Sequence, residues 1–463
     1  MADRLSSLDV SFLYMEEANT PMHVGGVAIF QAPESGFDFE AMVDLIQARI
    51  GLVPRYHQRV KGVPAHLAAP VWVDDENFDI TYHVRRSALP RPGRDEQLFE
   101  LAARVGSRPL DIERPLWELY VVEGLSGGRF AVISKTHHAM VDGIAAVDIG
   151  QVLLETTPEP QVPEVVEWHP RREPSSVALL VDAVGELALR PGALVDAVRG
   201  GLSDVRQTVG RLGGAAGGVL AMARTVARTA PTSPLNSGVG SARRFGTARA
   251  DLDDLKRIRK AHGGTVNDVV LAVVSGALRS WLMTRGEAVT GRTNVRALVP
   301  VSVRPDDDHD LPGNYVSAYL VDLPVGEPSP VMRLHQVSYG MKAVKDTGQA
   351  VGADALLGIA GFAPPTLHAL GARAASGWSR RLFNLVVTNV PGPQVPLYAG
   401  GARMLAAYPI VPLARGQALS IGVTSYDGEV FFGLNADRDA MPDLDVLGQL
   451  IHDALVELLD TAG

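Results

Sequence analysis

Residues 171–250 hold eleven arginines, no lysine and only five acids (Glu173, Asp182, Glu186, Asp196 and Asp204). Alanine, glycine and spaced valine or leucine fill the gaps. Pro191, Pro231, Pro234 and the glycine-rich run at 213–218 cut the stretch into short helical pieces. On both sides of it, strand-like and helix-like patterns alternate. Before it, Val24–Phe30 and Phe130–Thr136 read as strands, Phe39–Ile50 has Phe39, Met42, Leu45, Ile46 and Ile50 at helical spacing, and Ile144–Leu154 reads as a helix. After it, Leu252, Leu255, Ile258 and Ala261 mark a helix, and Val295–Val303, Tyr315–Leu323 and Leu385–Val390 read as strands. Ile421–Tyr426 and Val430–Leu434 flank the hairpin signal Asp427-Gly428, and Leu444, Leu447, Ile451, Leu455 and Leu458 outline a C-terminal amphipathic helix. The pattern predicts an α/β (α+β) chain in three parts: a domain over 1–165, a basic helical linker over 166–245 and a second domain over 246–463. A ligand cleft or tunnel is expected where the two domains meet.

Composition narrows the function. The chain has 463 residues and no cysteine, which excludes a disulfide scaffold, a zinc-thiolate site and a cysteine nucleophile. Net charge is 43 − 52 = −9, against a nucleic-acid binder. The N-terminal MADRLSSLDVSFLY lacks a basic stretch leading into an apolar run, so no signal peptide is expected. No apolar run is expected to approach the roughly 18 residues that a membrane span needs; the longest candidates, such as Val269–Leu278, are about half that. The expected setting is the cytosol or a membrane surface. The linker helices are either solvated or an amphipathic surface for anionic lipid, with Arg190, Arg199, Arg206 and Arg211 as its contacts.

The sharpest chemical feature is His137-His138-Ala139-Met140-Val141-Asp142-Gly143. A predicted strand runs directly into two histidines, and Gly143 lets the backbone turn into a helix. A histidine at a strand end beside a domain junction is suited to general base work, because its ordinary pKa of about 6.5 leaves a proton-accepting imidazole near pH 7. Asp142 could orient the ring or stabilise the local backbone. By spacing alone, paired histidines also fit a structural or surface role. A metal reading of His138 and Asp142 at i, i+4 lacks a third ligand.

HHAMVDG resembles the HHxxxDG motif of the CoA-dependent acyltransferase superfamily. Pro115-Leu116-Trp117 resembles a PLW element, and Asn267-Asp268 an ND element that opens a helix. LDVSFL (Leu8–Leu13), PMHVGG (Pro21–Gly26), PVSVR (Pro300–Arg304), Gly313-Asn314 and NVPGP (Asn389–Pro393) complete an ordered set. Together they resemble the bacterial wax ester synthase/diacylglycerol acyltransferase family. That resemblance implies two chloramphenicol-acetyltransferase-like domains with a tunnel meeting at the histidines. It implies transfer of a long-chain acyl group from acyl-CoA, a substrate rather than a cofactor, to diacylglycerol or a fatty alcohol. His138 would be the base; His137 would shape the site; Asp142 would hold the loop, with an arginine such as Arg304; no covalent acyl-enzyme is needed. It also implies a cytoplasmic enzyme in peripheral contact with a membrane or lipid droplets. Two alternatives stand beside it: a carrier-protein-dependent transferase that esterifies a polyketide-type alcohol, and a non-catalytic protein of lipid-droplet surfaces.

Other motifs have plainer readings. Asn267 and Asp268 fit a helix N-terminus as well as an active-site wall. Leu116 and Trp117 fit core packing. NVPGP reads as a strand and rigid turn, or as a tunnel lip. Gly124-Leu125-Ser126-Gly127-Gly128 matches GxSxG formally, but it precedes a strand instead of following one, so Ser126 is not expected to be a nucleophile. The acidic run Asp306–Asp310 reads as a solvated loop. An acyl tunnel would be apolar and so would resemble core; Phe12, Leu13, Met15 and Phe383–Val387 fit either.

Overall fold

The computed structural model describes residues 3–64, 68–141, 153–159, 168–189, 229–302, 316–346, 351–352 and 381–463. Its strands are β1 (Asp3–Arg4), β2 (His23–Gln31), β3 (Gln58–Lys61), β4 (Val71–Asp74), β5 (Val84–Ala88), β6 (Trp117–Leu125), β7 (Arg129–His137), β8 (Arg243–Asp251), β9 (Val295–Ser302), β10 (Val316–Leu323), β11 (Val351–Gly352), β12 (Leu385–Pro391), β13 (Tyr398–Ala399), β14 (Ala402–Ile410), β15 (Leu419–Tyr426) and β16 (Glu429–Asp437). They form a six-stranded sheet in the order β13-β14-β2-β7-β6-β5, a seven-stranded sheet in the order β11-β10-β9-β12-β15-β16-β8, and a three-stranded sheet β1-β4-β3.

The helices follow the sequence pattern because their apolar stripes have a sheet to cover. The helix Phe39–Ile50 is capped by Asp38, whose carboxylate accepts from the amides of Glu40 and Ala41 at 3.0 and 3.2 Å. It buries Met42, Leu45, Ile46 and Ile50. The C-terminal helix Leu444–Leu459 buries Leu444, Leu447, Ile451, Leu455 and Leu458 against the second sheet. Each such side chain contributes about 1.5–3 kcal/mol of transfer free energy. The apolar run at Val269–Leu278 lies within a longer helix, Val266–Thr284, which is long and apolar enough by composition to cross a membrane. Its residues Val269–Leu278, Trp281 and Leu282 are buried, which makes it the core helix of the second half. At the predicted hairpin, Asp427 and Gly428 both take positive φ, 47° and 86°, the geometry that a two-residue turn between twisted strands needs.

The halves are not separate in the sheet topology. Strand β14, from the C-terminal half, pairs antiparallel with β2 and so joins the N-terminal sheet. Strand β2 is thus enclosed between β7 and β14, and its Gly25-Gly26 pair answers that crowding. A Cβ on Gly25 would lie 1.9 Å from the Ser134 carbonyl oxygen, and one on Gly26 would lie 3.2 Å from that of Tyr408. Gly433 on β16 admits the Pro409 carbonyl in the same way, at 1.9 Å. Aromatic rings continue the core across the seam, with Phe99 against Phe245 and Tyr408, and Tyr408 against Phe431, at centroid distances of 5.3–5.9 Å.

Candidate active site

Strand β7 is almost continuously buried, and it delivers the histidine pair to one end of the N-terminal sheet. His137 is its last residue, and His138 opens the one-turn helix His138–Val141. Two sequence motifs pin this point through their backbone. The His137 amide donates to the Leu116 carbonyl, and the His138 amide donates to the Met22 carbonyl, each at 2.9 Å. Leu116 belongs to the PLW element and Met22 to PMHVGG. Trp117 anchors the first of these in the core: it is fully buried, donates its indole N–H to the Tyr56 carbonyl at 2.8 Å and stacks on His83. His23, in register with His137 on β2, donates from Nε2 to the Gly106 carbonyl at 2.9 Å.

The helix Ser7–Met15 covers the pair. Ser6 and Asp9 form a capping box at its start. From its other end Phe12 stacks on the His138 ring, with centroids 4.4 Å apart and planes 15° apart. Four residues on, the Glu16 carboxylate lies 3.2 Å from His137 Nε2. On the far side of that ring, His137 Nδ1 accepts the Ala139 amide at 3.0 Å. Nδ1 therefore carries no proton, and Nε2–H is the donor to Glu16. His137 has both nitrogens committed to holding the turn.

His138 differs. Its Nδ1 is enclosed and has no hydrogen-bond partner among the described residues. Burial, and secondarily the neighbouring His137, lower its pKa to about 4. At neutral pH the ring is an uncharged proton acceptor. Burial also pushes Lys135 below the ordinary lysine range, opposed by Glu118, which receives Lys135, Arg85 and the Tyr120 hydroxyl.

The remaining sites of the sequence reading fall in three places. Asp142, Gly143, Arg304, the helix reading at 144–152, the Asp306–Asp310 run and the linker arginines at 190, 199, 206 and 211 lie outside the described residues. Asp268 caps the helix Val266–Thr284: the Thr265 hydroxyl accepts from the Asp268 amide at 3.2 Å, and the Asp268 carboxylate accepts from the Thr265 amide at 2.8 Å. Asn267 accepts from Asn389 Nδ2 at 3.1 Å, which joins the ND and NVPGP elements. Ser126 sits in the β6–β7 turn, where Gly124, Gly127 and Gly128 have positive φ and its hydroxyl accepts from Arg129. That is a hairpin and not a nucleophile elbow. Among the described residues no three His, Asp or Glu side chains converge as metal ligands. Sequence reasoning passed over Glu16; its signal was the i, i+4 spacing from Phe12 on a capped helix.

A histidine pair at the end of a buried strand, in an N-terminal sheet that takes strand β14 from the C-terminal half, defines the class. The profile of the wax ester synthase/diacylglycerol acyltransferase catalytic domain matches residues 5–270, and that of the family's C-terminal domain matches residues 312–459. The chain belongs to this family. Among its relatives, the probable diacylglycerol O-acyltransferase tgs2 of Mycobacterium tuberculosis is 35% identical over all of both chains. The probable diacylglycerol O-acyltransferase tgs3 of the same species is 48% identical over 56% of this chain and 96% of its own length. Of solved structures, the wax ester synthase/diacylglycerol acyltransferase of Marinobacter aquaeolei VT8 superposes with a TM-score of 0.71 at 29% identity, over 99% of this chain and 100% of that one. The first condensation domain of the CDA synthetase, at 15% identity and a TM-score of 0.61 over 100% of this chain and 97% of that one, shares the fold.

Proposed function

We propose that the protein transfers a long-chain acyl group from acyl-CoA to the hydroxyl of diacylglycerol, and that it accepts long-chain alcohols in the same site. Membership of the family and the names of its mycobacterial relatives support the acyltransferase reading. The observation that carries the mechanism is the placement of the His138 ring, held flat by Phe12 at a strand end whose backbone is pinned by Leu116 and Met22.

In this reading His138 takes the proton of the acceptor hydroxyl as that oxygen attacks the thioester carbonyl. The C–S bond then breaks, and the CoA thiolate recovers the proton from the imidazolium. A pKa of about 4 bears on the timing. Removing a proton from water outright, with its pKa of about 15.7, would cost an imidazole of that basicity roughly 16 kcal/mol. The proton therefore moves as the C–O bond forms, and no free alkoxide accumulates. The step as written calls for no cofactor, because the thioester already carries the activation. The family resemblance gives His137 and Asp142 the part of keeping the loop in place, and Asn267 and Asp268 that of ordering a wall of the site. A water-insoluble acceptor points to a cytoplasmic protein working at a membrane or droplet surface; Val177 and Val181, exposed on the helix Ser176–Leu189, favour that setting.

The test is an acceptor panel of hexadecanol, monopalmitoylglycerol and dipalmitoylglycerol with palmitoyl-CoA, followed by product analysis. The reading predicts CoA thiol release only with an acceptor, matched by ester formation. Release without an acceptor, or none with any of them, contradicts it.

A further inference from the structure

We propose that Glu16 is a positioning residue, which fixes the tautomer of His137 and through it the turn that presents His138. This rests on the assignment of His138 as base. Three contacts in series make the argument. Glu16 accepts the Nε2 proton of His137 at 3.2 Å. That leaves His137 Nδ1 bare to accept the Ala139 amide at 3.0 Å. Ala139 follows His138 directly, so the amide on its C-terminal side is held by His137, while the His138 amide itself is held by Met22. The peptide units flanking His138 are both fixed, one by the backbone hydrogen bond to Met22 just beyond the strand end and one by an imidazole of a single tautomer. Were His137 to carry its proton on Nδ1, that N–H would face the Ala139 N–H, two donors in contact, and the turn would have to open.

Glu16 is itself placed for this. It caps the helix Ser7–Met15, with its amide on the Phe12 carbonyl at 3.2 Å. The same helix face carries Phe12 against His138. The following loop is tied to the second half of the chain: Glu17 pairs with Arg415 at 3.0 Å, the Asn19 side chain donates to the Val239 carbonyl at 3.4 Å, and buried Arg243 donates to the Asn19 carbonyl. The backbone at Glu16 is thus held from both ends, and of its carboxylate Oε2 meets His137 while Oε1 is buried with no hydrogen-bond partner among the described residues.

The experiment combines histidine-selective ¹⁵N NMR, which reads each ring's tautomer, with steady-state kinetics on the full chain. His137→Gln identifies the His137 signals. In the wild type His137 is expected to be protonated on Nε2 alone; in Glu16→Ala the Nδ1–H form should become populated. Since displacement of a reacting group by about 1 Å can cost about 10²-fold, Glu16→Ala should lose kcat by about that factor. Its KM for palmitoyl-CoA should change less than about twofold, because positioning acts on the reacting geometry rather than on binding. Glu16→Gln keeps an acceptor oxygen for Nε2–H and should return to within about fivefold of wild type. Added to His138→Ala, Glu16→Ala should cause no further loss. An Nδ1–H tautomer in the wild type, or unchanged kcat in a folded Glu16→Ala, overturns the proposal. Full turnover by a folded His138→Ala would overturn the base reading instead, and the His137 tautomer would then judge Glu16 by itself.

Discussion

Phe12 and His138 lie face to face, 4.4 Å apart at 15°, so the plane of the candidate base is set by a residue from the first helix of the chain. A stacked aromatic pair contributes about 0.5–1.5 kcal/mol beyond its area. Phe12→Leu preserves bulk but not the flat face. The variant is expected to fold and to lose about three- to tenfold in kcat, since 1.4 kcal/mol is about tenfold. Steady-state kinetics alongside thermal melting check this; unchanged kcat would show that the stack does not orient the ring.

The pH dependence of kcat/KM is the second prediction. With its pKa lowered to about 4 by burial, His138 stays unprotonated far below the usual histidine range. The acidic limb of the rate profile should fall near pH 4 to 5, and activity should be flat from about 6 to 7.5. A limb centred on 6.5 would mean that the base is solvated.

Stability should respond to pH in a neighbouring window. Burial lowers His57 and His138 to about 4, takes His23 well below its usual value and lowers His83. Unfolded, these histidines bind protons with pKa near 6.5. Between about pH 4 and 6.5 the unfolded chain therefore holds more protons than the folded one, and folding stability rises with pH across that interval. The stabilisation is complete above 6.5 and is lost on acidification toward 4. Melting temperature should drop between pH 7 and 5, with a shallower drop in His57→Asn; equal values at both pHs would contradict the burial of these rings.

Much of the architecture was legible because it is periodic. The helix Phe39–Ile50 matches its stripe at both ends, and β7 extends the predicted Phe130–Thr136 by one residue on each side. The histidine pair stood out because a strand runs into it. The partnership of β14 with β2 was not legible, because nothing local in Ala402–Ile410 tells that its partner lies some 380 residues earlier. The double glycine of PMHVGG was a trace of it: Gly25 and Gly26 leave room for neighbours on both sides. Leu116 and Met22 act through their carbonyls, and a carbonyl leaves no mark on residue choice. Glu16 was missed for a related reason, since its target is distant in sequence and its helix is short.

Gly25 gives a test of that enclosure. Gly25→Ala places a methyl 1.9 Å from the Ser134 carbonyl oxygen, and backbone on both sides prevents relief. Overpacking of this kind costs about 1–3 kcal/mol or more, and here the strained pair of strands carries His137. Loss of soluble protein, or a lowered melting temperature together with lost activity, is expected. A Gly25→Ala protein as stable as the wild type would refute the close approach of β7 to β2 at this position.

The most direct measurement is acceptor-dependent CoA release by His138→Ala, made beside its circular dichroism and melting curve. A positioned base is worth about 10²–10⁴ in rate. The variant should fold as the wild type does, and its turnover of palmitoyl-CoA with dipalmitoylglycerol should fall by at least about 10²-fold. Near-wild-type turnover by that folded variant would contradict the account.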